Sequence, residues 1–429
     1  MRTYIKDVKI IAPGSSLHQQ KVNLLVDNGK ISEINPDTVG NVEITIDQPG
    51  LLASASWFDM RTFSGEPGEE FREDLESLAN VLMAGGFGGA LLMPNTKPVL
   101  QYRSDFSSIF AKNNGKATTI YPASAVTINC DGENLNEMLD AHHAGAIAFT
   151  DGLQPLWNSD ILVKSLQYLQ KFNGLLINFP QDKNLAMFGQ MNEGVVSTGL
   201  GLKGIPHLAE ELMIQRDLEL LKYAEGKLHF SGLSSAKSVQ LIREAKKAGL
   251  NVTCDVTIHH LILDDSKLET FDANYKVSPP LRTKKDIEAL IEGVNDGTID
   301  VIVSAHLPYD QDHKQLEFDL ASFGIMGSQI LFSLYAKFLR DKIELETFIR
   351  CISHNPKAIL NLPQFDFEVN QPAEITLFSM ESEWIFDNST NQSKSDNSPF
   401  YNSSFSARPL AVFNKSEAYF NPSITQNKS

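Results

Sequence analysis

The stretch "KLHFSGLSSAKSVQLIREAKKAGLNVTCDV", residues 227–256, carries one complete unit of the fold. "KLHFSG" and "NVTCDV" are short apolar runs of β type. Between them "SAKSVQLIREAKKAG" reads as an amphipathic helix ending in glycine, the residue preferred at a left-handed C-cap. Strand, helix and strand in this order form a unit whose two strands lie parallel.

The same alternation begins at about residue 51 and continues on both sides of this unit. Six further strand candidates are "LLASASWF", "GALLMPN", "ATTIYPASAV", "AIAFTD", "LLINFP" and "DVIVSA". Helical segments such as "REDLESLANVLMAGG", "HLAEELMIQRDLELLKYAEG" and "KKDIEALIEGVNDG" separate them. Eight parallel strands with intervening helices over roughly 300 residues predict an α/β fold, a (β/α)8 TIM-like barrel. A doubly wound sheet is the competitor, but no Gly-rich phosphate loop follows the first strand. The barrel is expected over residues 51–363. Residues 1–50 and 364–429 hold short β runs and turn signals, so both chain ends are expected to build one small composite β-sandwich domain. The Ser- and Asn-rich "DNSTNQSKSDNSPFYNSSF" inside the second piece reads as a loop.

Composition limits the function. The 429 residues are 42% hydrophobic, enough for a large core, and the net charge of −16 argues against a nucleic-acid surface. No apolar run approaches the ~20 residues that span a bilayer, and no secretory signal is recognisable, so a cytoplasmic location is expected. Cys130, Cys254 and Cys351 are far apart and are expected to be buried thiols.

In a barrel of this kind the chemistry sits at the C-terminal strand ends. The chain carries, in this order, the segments "EPGEEFREDLES", "GAIAFTDG", "MNEGVVSTGLGLKGIPHLAEELMIQRDLEL", "NYKVSPPLRTKKDIEALIEGVNDGTIDVIVSAHLP", "FGIMGS" and "SKSDNSPF". Through them it resembles the dihydroorotases of the amidohydrolase superfamily, the bacterial type that pairs with aspartate transcarbamoylase. The family implies zinc at the barrel mouth, where the metal makes water nucleophilic. It also implies the reversible ring opening of dihydroorotate to carbamoyl-aspartate.

Carried over residue by residue, the resemblance places substitutions at the metal positions. After Asp59 the two histidine positions of the first strand hold Arg61 and Phe63. The histidine after the fifth strand corresponds to Phe179 (or, one place earlier, Asn178), the metal histidine after the sixth to Gly232, and the general acid/base aspartate after the eighth to Ala305. Only Asp151 in "FTDG" keeps an acid. Of the family's substrate contacts Asn95 is retained, whereas the arginine, asparagine and histidine positions hold Gly65, Ser278 and Tyr309. Neither an arginine nor a phenylalanine ligates zinc.

From these substitutions the expectation is a chain without zinc or other cofactor and not an enzyme: an inactive homologue that binds and organises aspartate transcarbamoylase as part of an oligomer. Two alternatives stand beside it, an active dihydroorotase or cyclic amidohydrolase with an altered metal site, and a metal-free sensor whose Arg61 grips a carboxylate. Bland roles are expected elsewhere. Arg61 pairs with Asp59 or Asp151, Phe63 packs on Phe179, and His142, His143, His259 and His260 are structural. Ser234, Ser235 and His229 form no nucleophile set, because no acid is expected to orient the histidine.

Overall fold

A computed structural model describes residues 1–424 and 426–428. Its centre is an eight-stranded parallel sheet rolled into a barrel. The strands, in chain order, are β1 (Trp57–Thr62), β2 (Phe87–Leu92), β3 (Thr119–Ser124), β4 (Ala148–Phe149), β5 (Leu176–Asn178), β6 (Leu228–Phe230), β7 (Val252–Thr257) and β8 (Val301–Val303). Each pairs in parallel with the next. The last gap is bridged where Thr62 pairs with His306, and Phe63 N–H donates to His306 O at 2.9 Å.

All eight strand candidates are strands, and the helices between them follow the expected segments. Residues Leu75–Ala84 start at a reciprocal cap between Asp74 and Ser77, and Ala236–Lys247 start at Ser235, whose hydroxyl accepts from Ser238 N–H. Two cores result. Phe58 and Met60 of β1, Leu91 and Met93, Ile177, Val301 and Val303 fill the barrel interior. A larger shell including Trp57, Leu78, Leu82, Val239, Ile242 and Leu290 lies between strands and helices.

A separate nine-stranded sheet combines both chain ends. Arg2–Ile10 lies between Lys21–Asp27 and Leu52–Ala55, and Leu52–Ala55 in turn pairs antiparallel with Glu374–Ser379. The run "LLASASWF" therefore serves two sheets: Leu52–Ala55 belongs to the terminal sheet, and β1 starts at Trp57. Cys130, Cys254 and Cys351 are buried and unpaired. No helix among the described residues is long and apolar enough to cross a membrane.

Candidate functional site

β1 delivers Arg61 to the centre of the barrel mouth, where the residue is only 2% exposed. Among the described residues its guanidinium donates no hydrogen bond, and Nη1 is sealed from solvent without a partner. The guanidinium carbon lies 5.3 Å from the centre of the Phe179 ring, a cation–π contact. Burial lowers the arginine pKa from its ordinary value, and the charge of Asp255 opposes that shift.

The acids expected to pair with Arg61 are committed elsewhere. Asp59 accepts from Ser304 N–H at 3.2 Å and Ser328 Oγ at 3.0 Å, holding β1 to the residues after β8. Burial raises its pKa. Asp151 accepts from the N–H groups of Val126 and Thr127, both at 3.0 Å, and from Thr127 Oγ1 at 2.5 Å. Burial pushes it up to about 6. The expected pairing of Arg61 with Asp59 or Asp151 is thus corrected, because loop donors claim both carboxylates. The charge that faces Arg61 is Asp255, within β7. Its oxygens are already engaged, one by Gly232 N–H at 2.7 Å and the other by Ser231 Oγ at 2.7 Å and His229 Nε2 at 3.1 Å. An acid does orient His229, contrary to expectation. Even so, Ser234 is turned away to Glu210, so no nucleophile set forms.

Phe179 faces Arg61, and no ring pairing with Phe63 occurs among the described residues, which corrects the expected Phe63–Phe179 packing. His142 stacks on Phe172 at 4.6 Å, and His260 bonds Thr257 Oγ1 at 2.6 Å and Pro279 O at 3.0 Å. Both are structural. Burial pushes His260 down to about 3. His259 differs: it lines the mouth cavity, and burial, then His260 and Arg61, hold its pKa well below the usual value, so its imidazole is neutral.

The cavity measures about 350 Å³. Arg61, His259, Ser278 and Ser322 bring polar atoms to its wall; Phe63, Leu153, Val277, Ala305, Leu307, Tyr309, Phe323 and Ile325 make up most of the rest. Two buried lysines fasten the segment that supplies Ser322 to Ile325. Lys276 Nζ donates to Phe318 O at 2.6 Å, and Lys314 Nζ donates to Ser322 O and Gly324 O, both at 2.9 Å. The Ser-rich loop completes the rim: Asn397 Nδ2 donates to Leu307 O, and Asn397 Oδ1 accepts from Tyr309 N–H.

The other sequence-derived positions separate. Gly65 cannot carry a side chain, since a Cβ there would overlap Glu69 O, so the family's arginine position is closed by backbone. Asn95 spends its amide on the chain, donating to Asp151 O at 3.0 Å and accepting from Leu153 N–H at 2.9 Å. Ser278, Ala305 and Tyr309 reach the cavity, and Gly232 lies against Arg61.

The zinc implied by the resemblance does not fit these residues. A buried guanidinium occupies the middle of the mouth, Phe63, Phe179 and Gly232 offer no donor, and the Asp151 carboxylate is consumed by three hydrogen bonds. Among the described residues no cluster of three or more His, Cys, Asp or Glu side chains gathers. Sequence reasoning missed His259 as a wall residue, Asp255 as the facing charge, and the two lysines. An acid at the C-terminal end of a barrel strand, as in "TCDV", was the available signal for Asp255.

A family model described as Dihydro-orotase-like matches residues 55–238. A dihydroorotase from Syntrophus aciditrophicus is 38% identical over 406 residues, covering 94% of this chain and 95% of the relative. One from Acetivibrio thermocellus is 36% identical over 89% of this chain and 90% of the relative. In fold, the chain is similar to the L-hydantoinase (dihydropyrimidinase) from Arthrobacter aurescens, with a TM-score of 0.85 at 19% identity, covering 99% and 97% of the two chains. The expectation that the chain is not an enzyme is overturned here. Identity this high to dihydroorotases, extending over nearly the whole length, argues for retained catalytic potential. By identity and coverage the chain belongs to the dihydroorotase family of the amidohydrolase superfamily.

Proposed function

We propose that the chain catalyses the dihydroorotase-type reaction, the reversible hydrolysis of a cyclic amide of the dihydroorotate class, at an altered barrel-mouth site. The observation that supports this reading is the mouth cavity itself. It holds a buried cation, Arg61, and a neutral imidazole, His259, within largely apolar walls at the C-terminal strand ends. In the ring-opening direction a water oxygen bonds the amide carbon and the ring C–N bond breaks. His259 takes the proton of the water and returns it to the leaving nitrogen. Arg61 supplies the positive charge that the wall otherwise lacks. The test is ring opening of L-dihydroorotate by the wild-type chain and by His259→Gln. Turnover that the substitution removes supports the reading, and a wild-type rate no greater than that of buffer contradicts it.

A second role, as partner of aspartate transcarbamoylase, is proposed beside it, with the exposed apolar side chains of Met187, Phe188, Val195, Leu208 and Leu212 available for contact. Gel filtration of the two proteins mixed at micromolar concentration tests it. Co-elution supports the role, and two unshifted peaks count against it.

A further inference from the structure

We infer that the Arg61 guanidinium is a carboxylate seat, and that the mouth takes a small cyclic ligand bearing one carboxylate, bound without a metal. The inference rests on the reading of the mouth as the ligand site and names the chemistry that site selects.

Three observations converge on the seat. Arg61 is 2% exposed, yet among the described residues its side chain makes no hydrogen bond to a protein acceptor, and Nη1 has no partner. A guanidinium carries five N–H donors in a rigid fork, and leaving such a group buried and unpaired is among the costlier things a fold can do. The charge of Asp255 opposes the burial penalty, but Asp255 makes no hydrogen bond to the fork, and its oxygens already accept from Gly232, Ser231 and His229. The acceptor that completes the arrangement therefore comes from outside the chain.

The cavity indicates what kind of molecule brings it. Among the described residues Arg61 is the only Lys, Arg, Asp or Glu on the wall, so the space favours an anion although the whole chain carries −16. A free inorganic anion would leave most of a cavity of about 350 Å³ unfilled. A ring stacked among Phe63, Tyr309 and Phe323 would fill it, with Ser278 and Ser322 within the same wall for its polar edges. The planar fork matches a carboxylate through two parallel N–H bonds, which an ammonium could not offer. The seat also differs from the position at which the family resemblance placed a substrate arginine, because Gly65 admits no side chain.

Calorimetric titration of the full chain in chelator tests the inference with four probes: L-dihydroorotate, N-carbamoyl-L-aspartate, neutral 5,6-dihydrouracil and inorganic phosphate. Dihydroorotate is expected to bind at least about tenfold more tightly than dihydrouracil, the same ring without the carboxylate. Arg61→Met is expected to erase that preference while the variant keeps a cooperative melting transition. Equal binding of the two rings by the wild-type chain overturns the carboxylate seat but leaves the mouth as a ligand site. Undiminished preference in Arg61→Met overturns it as well, and so does binding of phosphate in place of either ring. Failure of every probe to bind, together with absence of ring opening, overturns both the seat and the proposed function.

Discussion

Arg61 occupies the mouth through space that Gly232 leaves open: a Cβ on residue 232 would overlap Nη1. The two positions come from β1 and the turn after β6, far apart in sequence, and the resemblance read from the sequence places both at metal-ligand positions of the family. A long cation at one is matched by the loss of any side chain at the other.

Gly232→Ala tests that match. The substitution meets the guanidinium and also places a side chain at φ +87°, a backbone conformation that L residues rarely adopt. Each effect costs about 1–3 kcal/mol. Urea unfolding of Gly232→Ala, Arg61→Ala and the double variant should show coupling of about 1 kcal/mol or more, with Arg61→Ala recovering the overlap but not the backbone strain. Additive losses would show that the two residues are independent.

A buried carboxyl should give an unusual pH dependence. Asp217 accepts from Asn178 Nδ2 at 2.6 Å and from Arg216, and burial pushes its pKa up to about 6 from 3.8. Between those values the folded chain binds more protons than the unfolded one, so this group's contribution falls as pH rises from 4 to 6 and is level above. The whole effect is about 3 kcal/mol at most. Urea midpoints of wild type and Asp217→Asn should therefore diverge across that window. A constant difference between them would contradict the shift.

The segment over the cavity should loosen when Lys314 is removed. Its ammonium spans Ser322 O and Gly324 O, and burial pushes its pKa down to about 7. Because the folded value lies below the unfolded one, its contribution to stability rises with pH from about 7 towards 10. In Lys314→Ala, amide exchange over residues 318–325 should accelerate about 10- to 100-fold, as for the loss of one to two charge-assisted bonds. Unchanged exchange would mean that Lys276 and Asn397 alone hold the rim.

The barrel was legible because each strand is a compact apolar run and each helix carries its own period and stop. Where the reading blurred, the chain offered no break: Ser54, Ala55 and Ser56 fit either sheet, and only the pairing with Glu374–Ser379 assigns Leu52–Ala55. The mouth was harder. Asp59 and Asp151 are the acids that sequence places beside Arg61, yet Ser304, Ser328, Val126 and Thr127 take them. Such commitments depend on backbone N–H groups from loops remote in sequence, which no local pattern reveals. His259 and His260 are adjacent and look alike in sequence, and only the turn after β7 sends one to Pro279 and the other to the cavity.

The most direct measurement is dihydroorotate ring opening by protein stripped with chelator, with its zinc content followed by elemental mass spectrometry. Turnover that persists at substoichiometric zinc, and that added zinc does not raise, is expected of a mouth organised around Arg61 and His259. Turnover that appears only as zinc is restored would contradict it, and would mean that the mouth rearranges to bind metal.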